Sequence, residues 1–487
     1  MSGPPETGPA HGPGIAAAGA AGAGGAATAA DALAALDREA AGAAMHEWIA
    51  RAYPIRRSIT GDGVRRTLAL AREIAPASLD VHEVPSGTAA LDWTVPPEWN
   101  VREAWIAGPD GRRVVDLAEH TLHLVSYSVP VRARMSRAEL NAHLHSLPEQ
   151  PDLIPYRTSY YREAWGFCLP HRVREALPEG EYEVVIESTL DSEGSLTYGE
   201  LFLPPTAGAG APDPAAAREV LVSCHVCHPS LANDNLSGLA VTLWLARALS
   251  AVERRLGWRF VWIPGTIGAI VWLARNRERA GRIAHGLVAA NLGDPGPFHY
   301  KKSRRGAATI DRAVAHLLAA PRENDARREH AVEAPVIEDW APYGYDERQY
   351  CSPGFDLPVG SLTRTPWGRY PEYHTSADDL SLVRPEALAG SLALYLEVAA
   401  LLEANRTYRN LEPYGEPQLG RRGLYAATGG GGEGRERQLA LLWVLNLADG
   451  GHDVLAIAER SGLPFARVEQ AARDLAAAGL LEEVEER

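Results

Sequence analysis

The stretch from Glu219 to Leu292 constrains this chain most, because short continuous apolar runs alternate there with longer apolar runs. Val220-Leu-Val-Ser, Arg259-Phe-Val-Trp-Ile and Gly286-Leu-Val-Ala-Ala-Asn-Leu have the length and β-branched content of strands. Ser237 to Leu249 and Thr266 to Asn276, between them, have the length of helices. A strand that is apolar on both faces needs cover on both faces, and a helix between successive strands supplies it. The expected fold class is therefore α/β, a mainly parallel sheet flanked by helices, with the helix from Pro385 to Glu403 closing the domain.

Around this core the texture changes. Residues 45–75 read as two helical segments, with Trp48, Ile49 and Ala52, then Leu68, Leu70 and Ile74, at helical spacing. From Val81 to about Leu203 short alternating runs separated by Pro, Gly and Asp predict a β-rich insertion. The expected organisation is an α/β domain from 45–80 and 204–425, an inserted β-rich domain at 81–203, a Gly-rich linker at 426–435 and a helical module at 436–487. The Ala/Gly/Pro-rich residues 1–44 bury too little apolar surface to offset their ordering entropy, and the expectation for them is disorder.

Composition excludes several function classes. A formal net charge of −14 opposes nucleic-acid and anionic-membrane partners. No apolar run approaches the roughly 20 residues of a membrane span. The first basic residue is Arg38, so a basic signal region is missing and the expected location is cytoplasmic. Four cysteines do not make a disulfide framework; Cys224 and Cys227 read as buried thiols. The Ser461-Gly-Leu-Pro turn spells a helix-turn-helix, but residues 436–487 hold five Arg against ten Asp and Glu, which favours a protein contact over DNA. Self-association is left open.

Residues able to do chemistry collect at the carboxyl ends of the predicted strands, where sheets of this type place their sites. His228 and Asp234 lie in Cys224-His-Val-Cys-His-Pro-Ser-Leu-Ala-Asn-Asp-Asn-Leu-Ser-Gly238. Asp294 follows the third strand, and His374 lies in Glu372-Tyr-His-Thr-Ser-Ala-Asp378. Imidazole nitrogens and carboxylates together suit Zn2+. The chain's two lysines, Lys301 and Lys302, are adjacent in a sequence that otherwise uses Arg, as if a compact ammonium were needed there.

The runs Cys-His-Pro-Ser-Leu-Ala-Asn-Asp-Asn-Leu-Ser-Gly, Tyr-Lys-Lys-Ser-Arg-Arg-Gly, Asp-Glu-Arg-Gln-Tyr-Cys-Ser-Pro-Gly and Glu-Tyr-His-Thr-Ser-Ala-Asp closely resemble those of a bacterial family of aminopeptidase-like proteins. Its members carry a nested domain of unknown function and a carboxy-terminal winged helix-turn-helix, and look like a branch of the co-catalytic zinc aminopeptidases. The resemblance implies His228 as first zinc ligand, with His225 in reserve, Asp234 as bridge, Asp294 as second Asp and His374 as last His. It places Asp346, Glu347 and Arg348 in a polar patch lining the pocket, to which the family assigns no role; Asp346 and Glu347 are the catalytic candidates. Arg348, Lys301, Lys302 and Tyr373 are then substrate-binding candidates. One departure stands out. The family spells Pro-Glu-Thr-Ile-Gly where this chain has Pro264-Gly265-Thr266-Ile267-Gly268, so glycine is expected to leave a glutamate-sized gap at the cleft, with Glu347 or Glu372 as substitutes. Two functions follow from the resemblance. One is a zinc-dependent hydrolase of an amide bond next to a free amino group of a small peptide or aminoacyl compound. The other is a catalytically altered relative that binds or reroutes an amine-bearing substrate.

Overall fold

The computed structural model describes residues 27–76, 79–206, 217–320, 333–424 and 432–484. It divides into two units, one drawn from 1–308 and 332–396, the other from 309–331 and 397–487.

The first unit is built on an eight-stranded sheet. In spatial order its strands are Asp80–Pro85, Ser195–Leu203, Gly257–Ile263, Glu219–His225, Ile283–Ala289, Val359–Thr363, His299–Lys301 and Val336–Glu338. The four strands from Gly257–Ile263 to Val359–Thr363 pair in parallel, as their apolar spelling requires. Every residue of Glu219–His225 and of Gly257–Ile263 is buried. The helices Gly238–Ser250 and Ile267–Arg275 follow the two central strands and are themselves almost wholly buried. Among the described residues one helix, Pro385–Ala404, is long and apolar enough to cross a membrane, but 72% of its apolar window is buried within the protein.

Asp80–Pro85 and Ser195–Leu203 pair antiparallel with each other, and the latter joins the central strand Gly257–Ile263. The inserted β-rich part is therefore narrower than 81–203, since both its bounding strands belong to the large sheet. Its own sheet is antiparallel, ordered Arg113–Asp116, Glu98–Ala107, Glu181–Asp191, Val131–Ser136. Arg65, on the helix Asp62–Ala71, ties into that sheet through Glu98, with two nitrogen–oxygen distances of 2.7 Å.

Part of the stretch expected to be disordered is helical, over Ala29–Ala34 and Arg38–Ala52. Alanine is the best helix former. Thr28 and Asp31 close a capping box, and the Asp37 carboxylate accepts from the Ala40 N–H at 3.0 Å. Met45, Trp48 and Ile49 then give the second helix an apolar face to bury. Residues 1–26 lie outside the described residues, as does the part of the expected linker before Gly432.

The second unit carries the helices Gly432–Leu447, Val454–Ser461 and Phe465–Ala477 on a small sheet in which Thr407–Asn410 sits between Asp449–Asp453 and Leu481–Val484. The core is Leu441, Val444, Val454, Ile457, Val468 and Leu475. Asp453 caps the middle helix by accepting from the Ala456 N–H at 2.6 Å, and Gly462, at φ 69°, ends it in a conformation glycine adopts without Cβ strain.

Candidate metal centre

The run Asn233-Asp-Asn-Leu-Ser237 shows how the sequence places one carboxylate. Asn233 Oδ1 accepts from the Gly293 N–H at 2.9 Å, the Asn235 amide donates to the Ala289 carbonyl at 2.9 Å, and Ser237 Oγ accepts from the Leu292 N–H at 2.8 Å. Alternate residues thus fasten the turn to the chain leaving the next parallel strand. Asp378 holds it from another side, its carboxylate accepting from the N–H groups of Asn233 at 2.5 Å and Asp234 at 3.0 Å. Asp234 is left facing the histidines.

Asp234 Oδ1 lies 2.8 Å from His225 Nε2 and 3.8 Å from His228 Nδ1, and Oδ2 lies 3.0 Å from His374 Nε2. The three imidazoles hold its carboxyl well below the usual range despite complete burial. Burial pushes His228 down to about 3, so it is a neutral imidazole. Among the described residues, the buried His228 Nδ1 has no hydrogen-bond partner. Ligand atoms of His225, His228 and Asp234 all lie within 4.8 Å of one another. A buried carboxylate among three imidazoles, one of them with a ring nitrogen that has no partner among the described residues, is the donor set a divalent zinc ion takes. The residues present fit such an ion.

His374 adopts φ 56°, unusual for a side chain of its size. Its carbonyl accepts from the Tyr156 N–H at 2.8 Å, and Ser376 and Ile154 exchange two further bonds at 2.9 and 3.0 Å. The inserted segment thereby sets the last histidine. It also brings Tyr156 edge-on to both His228 and His374, with ring centroids 5.2 and 5.0 Å apart. Tyr373 stacks on His374 at 3.9 Å.

The structure brings His228, Asp234 and His374 together and adds His225, the last residue of its strand, as the imidazole closest to Asp234. Asp294 does not join them. Its oxygens accept from the Asn233 amide at 3.1 Å, the Thr365 hydroxyl at 2.6 Å and the Gly296 N–H at 2.8 Å, so it braces loops instead. Glu347 is fully buried, 2.5 Å from Lys301 Nζ, and Lys301 also donates to the Tyr343 carbonyl at 2.8 Å. Neither is free for substrate or for proton transfer. Asp346 is fully buried, neither of its oxygens has a hydrogen-bond partner among the described residues, and burial pushes its carboxyl well above the usual range. Lys302 pairs with exposed Asp339 at 2.9 Å, and Arg348 is exposed.

The gap expected at Gly265 is filled. A Cβ built there would overlap Cε1, Cζ and the hydroxyl of Tyr345 at less than the 3.0 Å that real Cβ atoms keep. The Tyr345 ring packs 4.5 Å from that of His225. No local pattern pointed to Tyr345, because its relation to Gly265 spans 80 residues of sequence.

Comparison with known proteins follows this geometry. Residues 46–405 match a family model described as a domain of unknown function (DUF4910), and residues 406–483 match a winged helix-turn-helix. A Clostridium acetobutylicum protein, described as a candidate polysaccharide biosynthesis protein with an aminopeptidase-like domain, is 44% identical over 431 residues, covering 88% of this chain and 94% of its own. A solved structure of a candidate peptidase from Clostridium acetobutylicum superposes with a TM-score of 0.82 at 42% identity, over 92% of this chain and 98% of that one. The zinc aminopeptidase BSAP of Bacillus subtilis shares the fold at a TM-score of 0.51 and 13% identity, over 74% and 94% of the two chains. With the family model spanning most of its length and a relative at this identity, the chain belongs to the DUF4910 family, an aminopeptidase-like α/β fold joined to a winged helix-turn-helix.

Proposed function

We propose that this protein is a zinc-dependent hydrolase of an amide bond beside a free amino group in a small peptide or aminoacyl compound. The observation that carries the reading is Asp234, buried and approached by His225, His228 and His374, with His228 Nδ1 left without a partner. These four residues would hold the ion. Bound there, zinc supplies Lewis acidity toward a carbonyl and lowers the pKa of a bound water. The chain's own part is to orient: Asp378 fixes the Asp234 backbone, Tyr156 packs edge-on against His228 and His374, and Tyr373 stacks on His374. Glu372 is half-buried, carries no ion pair among the described residues and stands two positions before His374, so we assign proton transfer to it.

The alternative, an amine-binding relative without hydrolysis, draws on the Tyr345 ring in the residue-265 slot and on the removal of Glu347 and Asp346 from service. Zinc analysis of purified protein beside an aminoacyl-anilide assay decides between them. The hydrolase reading expects bound zinc and turnover that drops roughly 10²–10⁴-fold in Glu372→Gln. Zinc without turnover on any aminoacyl substrate favours the alternative.

A further inference from the structure

The loop that carries Tyr345 is held by a device that neither hydrolysis nor zinc ligation explains. Both oxygens of the buried Glu347 carboxylate accept from the Tyr345 N–H, at 3.2 and 3.1 Å. The Lys301 ammonium lies 2.5 Å from Glu347 and donates to the Tyr343 carbonyl at 2.8 Å and the Ala341 carbonyl at 3.4 Å. It also sits 5.5 Å from the centre of the Trp367 ring. Three acceptors around one point suit three N–H bonds on a single nitrogen, which an ammonium has and a planar guanidinium does not. A chain that otherwise spells its cations as Arg uses Lys at this point.

From that anchor the Tyr345 ring reaches over His225, centroids 4.5 Å apart and planes tilted by 58°. The slot it enters exists only because residue 265 has no side chain. At its far end the hydroxyl's hydrogen-bond partner among the described residues is the Cys227 thiol, at 3.8 Å, so what the residue chiefly contributes is the body of its ring.

We propose that Gly265, Tyr345 and the Lys301–Glu347 pair form one positioning device for His225. The pair pins the loop backbone, the glycine leaves the slot, and the ring fills it and fixes the imidazole toward Asp234. The inference rests on the metal-site reading but not on any hydrolytic activity. Groups that orient a metal-bound histidine are worth roughly 10–100-fold in metal affinity.

The test is zinc affinity, measured by competition with a chromophoric chelator on the metal-free full-length protein and its variants. Tyr345→Ala is expected to weaken zinc binding roughly 10–100-fold, while Tyr345→Phe, which keeps the ring, stays within about threefold of the parent. Gly265→Ala, which evicts the ring, is expected to match Tyr345→Ala. Because both act through one ring, the double variant should lose no more than the weaker-binding single one. Should Gly265→Ala fail to fold, the contrast between Phe and Ala at position 345 decides alone. Equal affinity in parent and Tyr345→Ala, equal losses in Phe and Ala, or additive losses in the double variant would each overturn the proposal while leaving the metal site standing. A parent protein that takes up no zinc overturns both.

Discussion

Lys301→Met separates an interior clamp from a substrate-binding surface lysine. Glu347 has 0% side-chain exposure and Lys301 has 10%, so removing the ammonium leaves a carboxylate in the interior with, among the described residues, the Tyr345 N–H alone for compensation. Breaking a buried pair on one side costs roughly 3–5 kcal/mol. At about 1.4 kcal/mol per tenfold, that is two to three and a half decades in the folding equilibrium of the first unit. Removing both charges in Lys301→Met/Glu347→Met should recover most of the loss, since an apolar pair of similar volume replaces a buried ion pair at little cost. Urea unfolding followed by tryptophan fluorescence reads this directly: a large downward shift of the midpoint in the single variant and a much smaller one in the double. A single variant within about 0.5 kcal/mol of the parent, the range of ordinary surface substitutions, would refute the clamp.

Three further outcomes follow. Asp294→Ala should cost about 1–3 kcal/mol of stability by stranding the Thr365 hydroxyl and the Asn233 amide, with zinc stoichiometry unchanged by elemental analysis. The hydrogen bond from Arg65 holds the Glu98 carboxyl down at about 2, below its unfolded value, so this pair stabilises above about pH 4.5 and its contribution is lost as pH falls toward 2; Arg65→Met should flatten that acid limb in a pH series of melting temperatures. On the helix Phe465–Ala477 of the second unit, Arg473 is already paired with Glu469 at 2.8 Å, and nearby Asp474 holds Arg437 at 2.9 Å, so gel shifts with duplex DNA should show no salt-sensitive complex.

The fold was largely legible because its strands are buried on both faces and spelled accordingly: Val220 to Ser223 and Arg259 to Ile263 lie inside the observed central strands. His228, Asp234 and His374 were legible as polar residues at strand exits. The choice between His225 and His228 was not, because three positions along an irregular strand exit carry no periodicity that fixes which imidazole turns toward Asp234. Asp294 sits at the right sheet edge, yet Thr365, 71 positions away, engages its carboxylate. The Lys301–Glu347 pair and the Gly265–Tyr345 packing likewise join distant segments, and no local pattern encodes which side chain fills a slot that another leaves open. Residues 29–44 erred in the other direction: bulk composition was weighed above the caps at Thr28 and Asp37, which fix helix starts.

The central claim is that Asp234 and its histidines form a metal site in which His225 takes part and Asp294 does not. A calorimetric zinc titration of the metal-free protein beside Asp234→Ala and His225→Ala tests it. The account predicts tight zinc uptake by the parent and loss of that tight uptake in both variants. A parent that binds no zinc, or variants that bind it as tightly as the parent, would contradict it.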